Sequence, residues 1–272
     1  MKKIVILTGD EYRHTYFRKK VACHPSIEVL ASYCEGVEKS LENRTLQNPD
    51  ASELERMHVD SRTAAELESF GEAIEFLPDH SSPVKIKKGA INDARIVQEI
   101  TALQADILIC YGSSIIKSAL LDAYEGRFLN VHLGLSPYYR GSGTNIWALI
   151  NNEPHMYGAT YMHINKGIDT GEIIHQIGAD ILLGDGPHAI GNRLIRRMTD
   201  TYCDLIVHFD DLTKEVQPDD DGKLYLRKDF TAEACSTLYQ NFRNGMVEDY
   251  LFGKRDYRQR ILVKNRGLEG KI

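Results

Sequence analysis

The sequence predicts an α/β protein with a mostly parallel sheet and flanking helices. Continuous apolar runs at 3–7, 105–112 and 128–132 have the length and composition of strands that are buried on both faces. Helical segments separate these runs, and strand–helix–strand order is typical of parallel strands joined by right-handed crossovers. A length of 272 residues with 42% hydrophobic residues allows one large domain with an extension, or two domains.

The N-terminal half alternates predicted strands and helices. A turn at 8–10 leads from the first strand into a helix through Arg18, and a second apolar strand follows at 27–33. Residues 35–75 are charged and helical in pattern, and Ser52 with Glu55 forms a capping-box signal. The predicted apolar face of this charged segment consists of Leu54, Met57, Ala64, Leu67 and Phe70.

The next helix is expected to be capped by Asn92. Its predicted apolar face consists of Ile96, Val97, Ile100 and Leu103. A short helix through Leu121 then precedes the strand at 128–132, and two later strands are expected at 157–164 and 172–177. A long amphipathic helix follows, with Ile190, Leu194, Met198 and Leu205 toward the core.

The acidic linker at 218–222 is the expected domain boundary. A short strand at 223–227 and a helix at 231–244 predict a small C-terminal α+β extension. The chain is therefore expected to divide into a main domain over 1–186, a helix and linker over 187–222, and the extension over 223–272.

The formal charge of −6 argues against a nucleic-acid-binding protein, which needs net positive charge opposite phosphates. The charge is uneven, since residues 254–272 contain seven Lys or Arg and two Asp or Glu. Such a basic tail is either a docking arm for an anion or a solvated surface. Both interpretations stay open.

Several classes of protein are not expected. No apolar run approaches the roughly 18 residues that a membrane span needs, and the N-terminal apolar run is too short for a signal peptide. The five cysteines are dispersed, without CxxC spacing, which is typical of reduced thiols rather than of disulfides or a metal cage. A cytoplasmic protein without a metal site or a membrane partner is predicted.

The residues with the clearest chemistry lie around the strand at 128–132. Asn130 and His132 are two apart, so their side chains point to the same face of that strand. The strand runs into a loop rich in Gly and Pro, which is where open α/β sheets bind ligands. Asp169 follows in a Gly-flanked turn. An amide that donates to an oxyanion, an imidazole that shuttles a proton and a carboxylate that orients it suit acyl transfer by direct amine attack.

This ordered set of motifs resembles the folate-dependent formyltransferase family, which includes glycinamide ribonucleotide, methionyl-tRNA and sugar N-formyltransferases. The resemblance covers residues 90–180 and implies a Rossmann-like formyltransferase fold. It implies that Asn130, His132 and Asp169 are catalytic, and that 10-formyltetrahydrofolate is the formyl donor. The matching motifs are Asn130-x-His132, Leu135-Ser136-Pro137, Gly141-Ser142-Gly143, Trp147-Ala148 and Asp169-Thr170-Gly171.

The resemblance also implies binding residues. The pterin of the donor is expected to lie against one loop and the Asp169 turn, at Tyr111, Gly112, Ser113, Ser114, Ile115, Ile116 and Ile168. Apart from the resemblance, Arg13 and His14 lie at the start of a helix and are candidates to contact an acceptor phosphate, with a solvated Arg as the alternative; Ser136 and Arg140 are candidate acceptor contacts.

Three departures from the family pattern concern the acceptor. Leu133-Gly134 follows the histidine, the turn after the first strand lacks a Gly-rich phosphate cradle, and the segment 35–75 has no counterpart in the better-known members. The short C-terminal extension is similar to that of the sugar-nucleotide branch, and only 50 residues follow the linker, too few for a tRNA-binding barrel.

The sequence therefore predicts an N-formyltransferase that acts on a small amine, an amino sugar or a nucleotide-linked sugar, with no nucleic-acid partner. A homodimer through the C-terminal part is a further hypothesis. Two alternatives stay open: a 10-formyltetrahydrofolate hydrolase, and a non-catalytic module that binds folate or a nucleotide.

Overall fold

Seven strands form one central sheet, and two more form a small ribbon. The computed structural model describes residues 1–38, 40–218, 222–257 and 261–271. The strands are β1 (Lys2–Thr8), β2 (Ile27–Glu35), β3 (Pro83–Ile86), β4 (Ile107–Tyr111), β5 (Phe128–His132), β6 (Tyr139–Gly141), β7 (Gly158–His163), β8 (Ile173–Gly178) and β9 (Lys223–Tyr225). The sheet order is β3-β2-β1-β4-β5-β7-β8, and the ribbon pairs β6 with β9. Strands β1 to β5 are parallel, whereas β7 and β8 are antiparallel to their neighbours.

Helices cover both faces of the sheet. They are α1 (Tyr12–Ala22), α2 (Leu41–Gln47), α3 (Glu53–Phe76), α4 (Ala94–Ala102), α5 (Ser118–Ala123), α6 (Thr144–Ile150), α7 (Pro187–Val207), α8 (Ala232–Arg243) and α9 (Met246–Leu251). Helices α1, α3 and α7 pack against one another on one face, whereas α4 and α5 pack together over the other. The predicted α/β fold with a mostly parallel sheet is confirmed.

Alternation along the strands builds two hydrophobic cores. Ile4 and Ile6 of β1 face the larger core, whereas Val5 and Leu7 face the smaller one. All four side chains are fully buried, because successive side chains of a strand point to opposite faces and both faces are covered. The apolar run at 3–7 is continuous in the sequence because both faces of β1 are buried.

The charged segment 35–75 forms α2 and most of α3, and its predicted capping box is present. The Glu55 N–H donates to Ser52 Oγ over 3.2 Å, and the Ser52 N–H donates to Glu55 Oε2 over 2.9 Å. The predicted apolar face is largely wrong, since Met57 is 41% exposed and Leu67 51% exposed. The buried residues of α3 are His58, Val59, Glu66 and Phe70. Two of these four are polar, so hydrophobic spacing could not locate the face.

Asn92 does not cap α4, which corrects that prediction. The helix begins after Asp93, and Asn92 instead bridges to the loop that follows β4. Its Nδ2 donates to the Ile115 carbonyl over 3.0 Å, and its Oδ1 accepts from the Lys117 N–H over 2.8 Å. The predicted face of α4 is confirmed, with Ile100 fully buried and its apolar neighbours packed against the smaller core.

The C-terminal segment shares the larger core. Strand β9 pairs in parallel with β6, and the Tyr225 ring stacks on Trp147 with centroids 4.5 Å apart. Asn151 Nδ2 donates to Tyr225 Oη over 2.8 Å and to Tyr139 Oη over 3.0 Å. Leu238 of α8 belongs to the same core. The chain after the predicted linker therefore packs directly against α6 and β6.

Part of the predicted linker, residues 219–221, lies outside the described residues, as do 258–260 and 272 of the basic tail. Within the described part of that tail, Lys254 and Arg255 pair with Asp249 at 3.6 and 3.3 Å. Lys271 pairs with Asp211 at 2.7 Å. These cations neutralise neighbouring carboxylates of the chain itself.

Candidate active site

Asn130 lies on β5 between β4 and β7, at the carboxyl end of the parallel part of the sheet. It is half-buried, whereas the four other residues of β5 are buried. Its side chain makes no hydrogen bond within the described ranges 1–38, 40–218, 222–257 and 261–271. The strand therefore presents an amide group that is free to donate to a ligand.

His132 is the last residue of β5 and is 7% exposed. Its Nε2 lies 2.8 Å from the Tyr139 carbonyl and 3.0 Å from Thr144 Oγ1. Thr144 Oγ1 donates its own proton to the Leu133 carbonyl over 2.7 Å, so the hydroxyl accepts from Nε2. A carbonyl and an accepting hydroxyl at Nε2 require the proton on that nitrogen. This contact fixes the ring and leaves Nδ1 as the nitrogen that faces Asp169.

Asp169 reaches His132 from the connection between β7 and β8. Its Oδ2 lies 3.3 Å from His132 Nδ1 and accepts the Gly141 N–H over 2.8 Å. The connection starts beside the opposite end of β5, where the Ile164 N–H donates to the Phe128 carbonyl over 3.0 Å. The turn therefore folds back along β5.

The backbone of the Asp169 turn is constrained. Asp169 has φ +53°, in the left-handed region that side chains disfavour and that clusters at functional sites. At Gly171 a Cβ would lie 1.7 Å from the His163 carbonyl oxygen, so only glycine fits there.

Strand β6 connects the two titratable side chains. The Tyr139 carbonyl accepts from His132, and the Gly141 N–H donates to Asp169. These backbone groups lie at the two ends of a three-residue strand, which is held by pairing with β9. The positions of His132 and Asp169 therefore both depend on β6.

The loop after β4 contains most of the residues predicted to bind the donor. Gly112 has φ +74°, and Ser113 and Ser114 are half-buried. Ile115 is 70% exposed, and Ile168 in the Asp169 turn is 38% exposed. Exposed isoleucines can cover one apolar face of a flat ring system.

Two residues of the predicted donor site are buried. Tyr111 is 3% exposed, and its ring makes edge contacts with His14 and Phe17 at 5.0 and 5.2 Å. Ile116 is 6% exposed and belongs to the smaller core. The side chains of Tyr111 and Ile116 therefore pack in the protein interior, where they support the loop.

Glu35 holds this loop and was missed in the sequence. It is fully buried at the end of β2, and its carboxylate accepts the N–H groups of Ser114 and Gly89 over 2.6 and 2.8 Å. Lys88 Nζ lies 2.9 Å from the same carboxylate. Burial alone would raise the pKa of Glu35, but Lys88 and these backbone donors hold that pKa below its ordinary value. An acidic residue that ends an apolar strand was the available signal.

Arg13 and His14, predicted to contact an acceptor phosphate, are bound within the protein. Arg13 lies 2.6 Å from Glu66 and 3.2 Å from Glu11. His14 is buried, with Nδ1 2.5 Å from Glu11 Oε2. Burial and Arg13 lower the pKa of His14, although Glu11 opposes the shift. Glu11 also accepts a backbone N–H in the first turn of α1, so a carboxylate already occupies the anion site of this helix.

The two other predicted acceptor contacts also lie against the protein. Ser136 is 1% exposed, which conflicts with its predicted contact to the acceptor. Arg140 Nη2 donates to the Gly222 carbonyl over 3.0 Å, which connects β6 to the chain just before β9. The described residues contain no cluster of three or more His, Cys, Asp or Glu side chains that could hold a metal ion. Within the same ranges, no helix is both long and apolar enough to cross a membrane.

The central α/β sheet brings an amide, an imidazole and a carboxylate to the end of β5, a set of groups that suits group transfer. Residues 49–206 match the family model described as formyl transferase, and the chain belongs to that family of enzymes. The resemblance seen in the sequence is thereby confirmed.

Curated relatives match part of the chain. The methionyl-tRNA formyltransferase of Desulforamulus reducens is 35% identical over 112 residues, which are 41% of this chain and 34% of that protein. That of Clostridium acetobutylicum is 28% identical over 153 residues, which are 54% of this chain and 47% of that protein. The matches thus span between a third and a half of the length of these two relatives.

Solved structures share the fold over more of the chain. A sugar N-formyltransferase from a Shewanella species has a TM-score of 0.57 at 18% identity and covers 88% of this chain and 87% of its own. A glycinamide ribonucleotide transformylase from Symbiobacterium toebii has a TM-score of 0.53 at 18% identity and covers 80% of this chain and 95% of its own. At these identities the likeness concerns the fold.

Proposed function

We propose that this protein transfers a formyl group from 10-formyltetrahydrofolate to the amine of a small acceptor, an amino sugar or a nucleotide-linked amino sugar. The observation that carries the proposal is the contact between His132 Nδ1 and Asp169 Oδ2, with Asn130 two residues before His132 on the same strand. Membership of the formyl transferase family supports this reaction class.

The proposed reaction is direct transfer. The acceptor amine attacks the formyl carbon, and the carbonyl oxygen becomes an oxyanion that accepts from Asn130 Nδ2 and from protonated His132, whose second proton is on Nδ1 beside Asp169. The carbon–nitrogen bond to the folate then breaks, and Asp169 passes the amine proton, through water, to the leaving folate nitrogen. One oxyanion donor contributes about 3–4 kcal/mol to such a transition state.

The donor is proposed to bind between the loop after β4 and the Asp169 turn. Ile115 and Ile168 supply exposed apolar contacts there, and the backbone of Gly112 and Ser113 supplies polar groups. Glu35 and Asn92 hold this loop by four hydrogen bonds to backbone groups of the loop and of Gly89. A loop held in this way loses little conformational freedom when a ligand binds.

Charge supports a small acceptor. The chain carries a formal charge of −6, which disfavours binding to a polyanion. The carboxylate of Glu11 at the start of α1 further disfavours an acceptor phosphate at that helix end.

A second candidate acceptor is methionyl-tRNA, because the curated relatives quoted above carry that activity in their names. Binding of a tRNA would depend on the basic residues of the C-terminal tail. It would weaken steeply as the salt concentration rises.

The test is release of tetrahydrofolate measured against a panel of amino sugars, nucleotide-linked amino sugars and charged initiator tRNA. Turnover with one of the sugars supports the proposal. Turnover with the tRNA alone, with strong salt dependence, would establish the second candidate. Release without any amine would indicate a hydrolase, and folate binding without release under any condition would indicate a binding module.

Variants of the proposed catalytic residues give a sharper test. We expect Asn130→Ala and His132→Ala each to lower kcat by about 10²-fold or more, because each removes an oxyanion donor. Unchanged melting temperatures would show that the fold persists. Turnover near that of the unmodified protein in both variants would contradict the assigned roles.

A further inference from the structure

Gln217 lies in the chain segment between α7 and β9, far in sequence from the other residues of the site. Its Nε2 donates to the Asp169 carbonyl over 2.9 Å and to the Gly171 carbonyl over 2.7 Å. Both partners are acceptors only, so the NH2 group of the amide must face them, and both of its protons are used. Gln217 therefore binds the backbone on both sides of Thr170.

The Asp169 turn also has hydrogen bonds within itself. Asn165 Oδ1 accepts from the Gly167 N–H and from Thr170 Oγ1, each over 2.9 Å. Those bonds leave the carbonyls of Asp169 and Gly171 to be satisfied by Gln217. Because Asp169 has φ +53°, its conformation persists only where surrounding contacts determine it.

The backbone near Gln217 is itself anchored. Glu215 forms a two-bond bridge with Ile173 at the start of β8, with N–O distances of 2.8 and 2.7 Å. The side chains of Lys214 and Glu172 pair beside it at 2.6 Å. Gln217 follows two residues after this bridge and is half-buried, so its side chain is directed onto the turn.

We propose that Gln217 is a positioning residue, which holds the Asp169 carboxylate against His132 Nδ1 and the Gly141 N–H. This inference rests on the proposed function, since it assigns Gln217 a role through Asp169. The proposal makes the segment after α7 part of the active site, although the predicted division of the chain treats it as a linker.

The experiment compares Gln217→Leu and Gln217→Glu with the unmodified full chain. Leucine keeps the bulk and loses both donors, and glutamate places a carboxylate against two carbonyls. We expect kcat to fall roughly 10- to 100-fold in both variants, with KM for the acceptor changed less than threefold, because a displaced Asp169 affects the reacting atoms more than binding. Gln240→Leu is the matched control, since the Gln240 side chain lies on an exposed face of α8 and donates to Ser236 Oγ over 3.2 Å. Its kcat should stay within twofold.

A crystal structure of Gln217→Leu gives a readout that does not depend on activity. We expect Asp169 Oδ2 to lie farther than 4 Å from His132 Nδ1. An unchanged turn, or a kcat within twofold of the unmodified protein, would overturn the inference, as would a rise in KM alone. If the unmodified protein transfers no formyl group, the proposed function fails while the geometry still tests Gln217.

Discussion

Replacing Tyr225 by alanine tests how strongly the C-terminal segment stabilises the molecule. Tyr225 is 2% exposed and stacks on Trp147 at 4.5 Å and on Tyr139 at 5.7 Å between ring centroids. Its hydroxyl accepts from Asn151 Nδ2 over 2.8 Å. The substitution therefore removes two ring contacts and one partly buried hydrogen bond, and it leaves a cavity between β6 and α6.

The expected cost follows from these contacts. A buried aromatic ring covers about 200 Å², worth roughly 5 kcal/mol at 25 cal/mol per Å². The net cost is smaller than that figure, because the unfolded chain already buries part of the ring and because the cavity partly collapses. We expect the free energy of unfolding to fall by about 3–5 kcal/mol, as for other buried aromatic residues changed to alanine.

The assay is urea unfolding followed by two signals. Trp147 is the single tryptophan of the chain, so its fluorescence reports on the stack with Tyr225. Far-ultraviolet circular dichroism reports on the helices. Because the segment shares one core with the sheet, the two transitions should coincide.

The matched control is Tyr225→Phe, which keeps the stack and loses the hydroxyl. Its cost should be about 1 kcal/mol. A loss below about 1 kcal/mol in Tyr225→Ala would refute the role given to the stack. A fluorescence transition at clearly lower urea than the helix transition would instead mark the segment as an independently unfolding unit.

Two further predictions concern buried charge. Glu35→Gln removes the charge that binds Lys88 and two N–H groups, so the loop after β4 is held less firmly. KM for the formyl donor should therefore rise about tenfold, with kcat changed less. An unchanged KM would contradict the role of Glu35 in the loop. Burial, His188 and Arg62 lower the pKa of His58 to about 3, so the folded state keeps this ring neutral while the unfolded state takes up a proton below pH 6.5. Stability should therefore fall as the pH decreases from 7 to 5, by about 2 kcal/mol from His58 in urea titrations. His58→Phe should reduce that loss, and an equal loss in the variant would contradict the assignment.

The sequence predicted most of the strands because burial on both faces leaves a local signal. Each of β1, β4 and β5 is a short apolar run, and the order of elements constrains how such runs pair. The strand β3 was missed, since Pro83–Ile86 is a short edge strand with exposed side chains. The apolar face of α3 was misplaced because the helix buries His58 and Glu66, whose partners are distant in sequence.

Asn130, His132 and Asp169 were predicted to act together because two of them share a strand and the third follows within a Gly-flanked turn. The supporting residues carry no such pattern. Glu35 and Gln217 act through hydrogen bonds to backbone groups more than 40 residues away, and such bonds leave no spacing or periodicity in the sequence.

The sequence by itself determined the α/β class, and it led to the proposal that three side chains act at the end of β5. Only the tertiary structure decided how those side chains are held. It placed β6 between His132 and Asp169, and it brought the segment after α7 onto the Asp169 turn. The physical reason is range: hydrophobic periodicity and turn residues act within a few positions, whereas the orientation of an imidazole or a carboxylate depends on partners that meet only when the chain is folded.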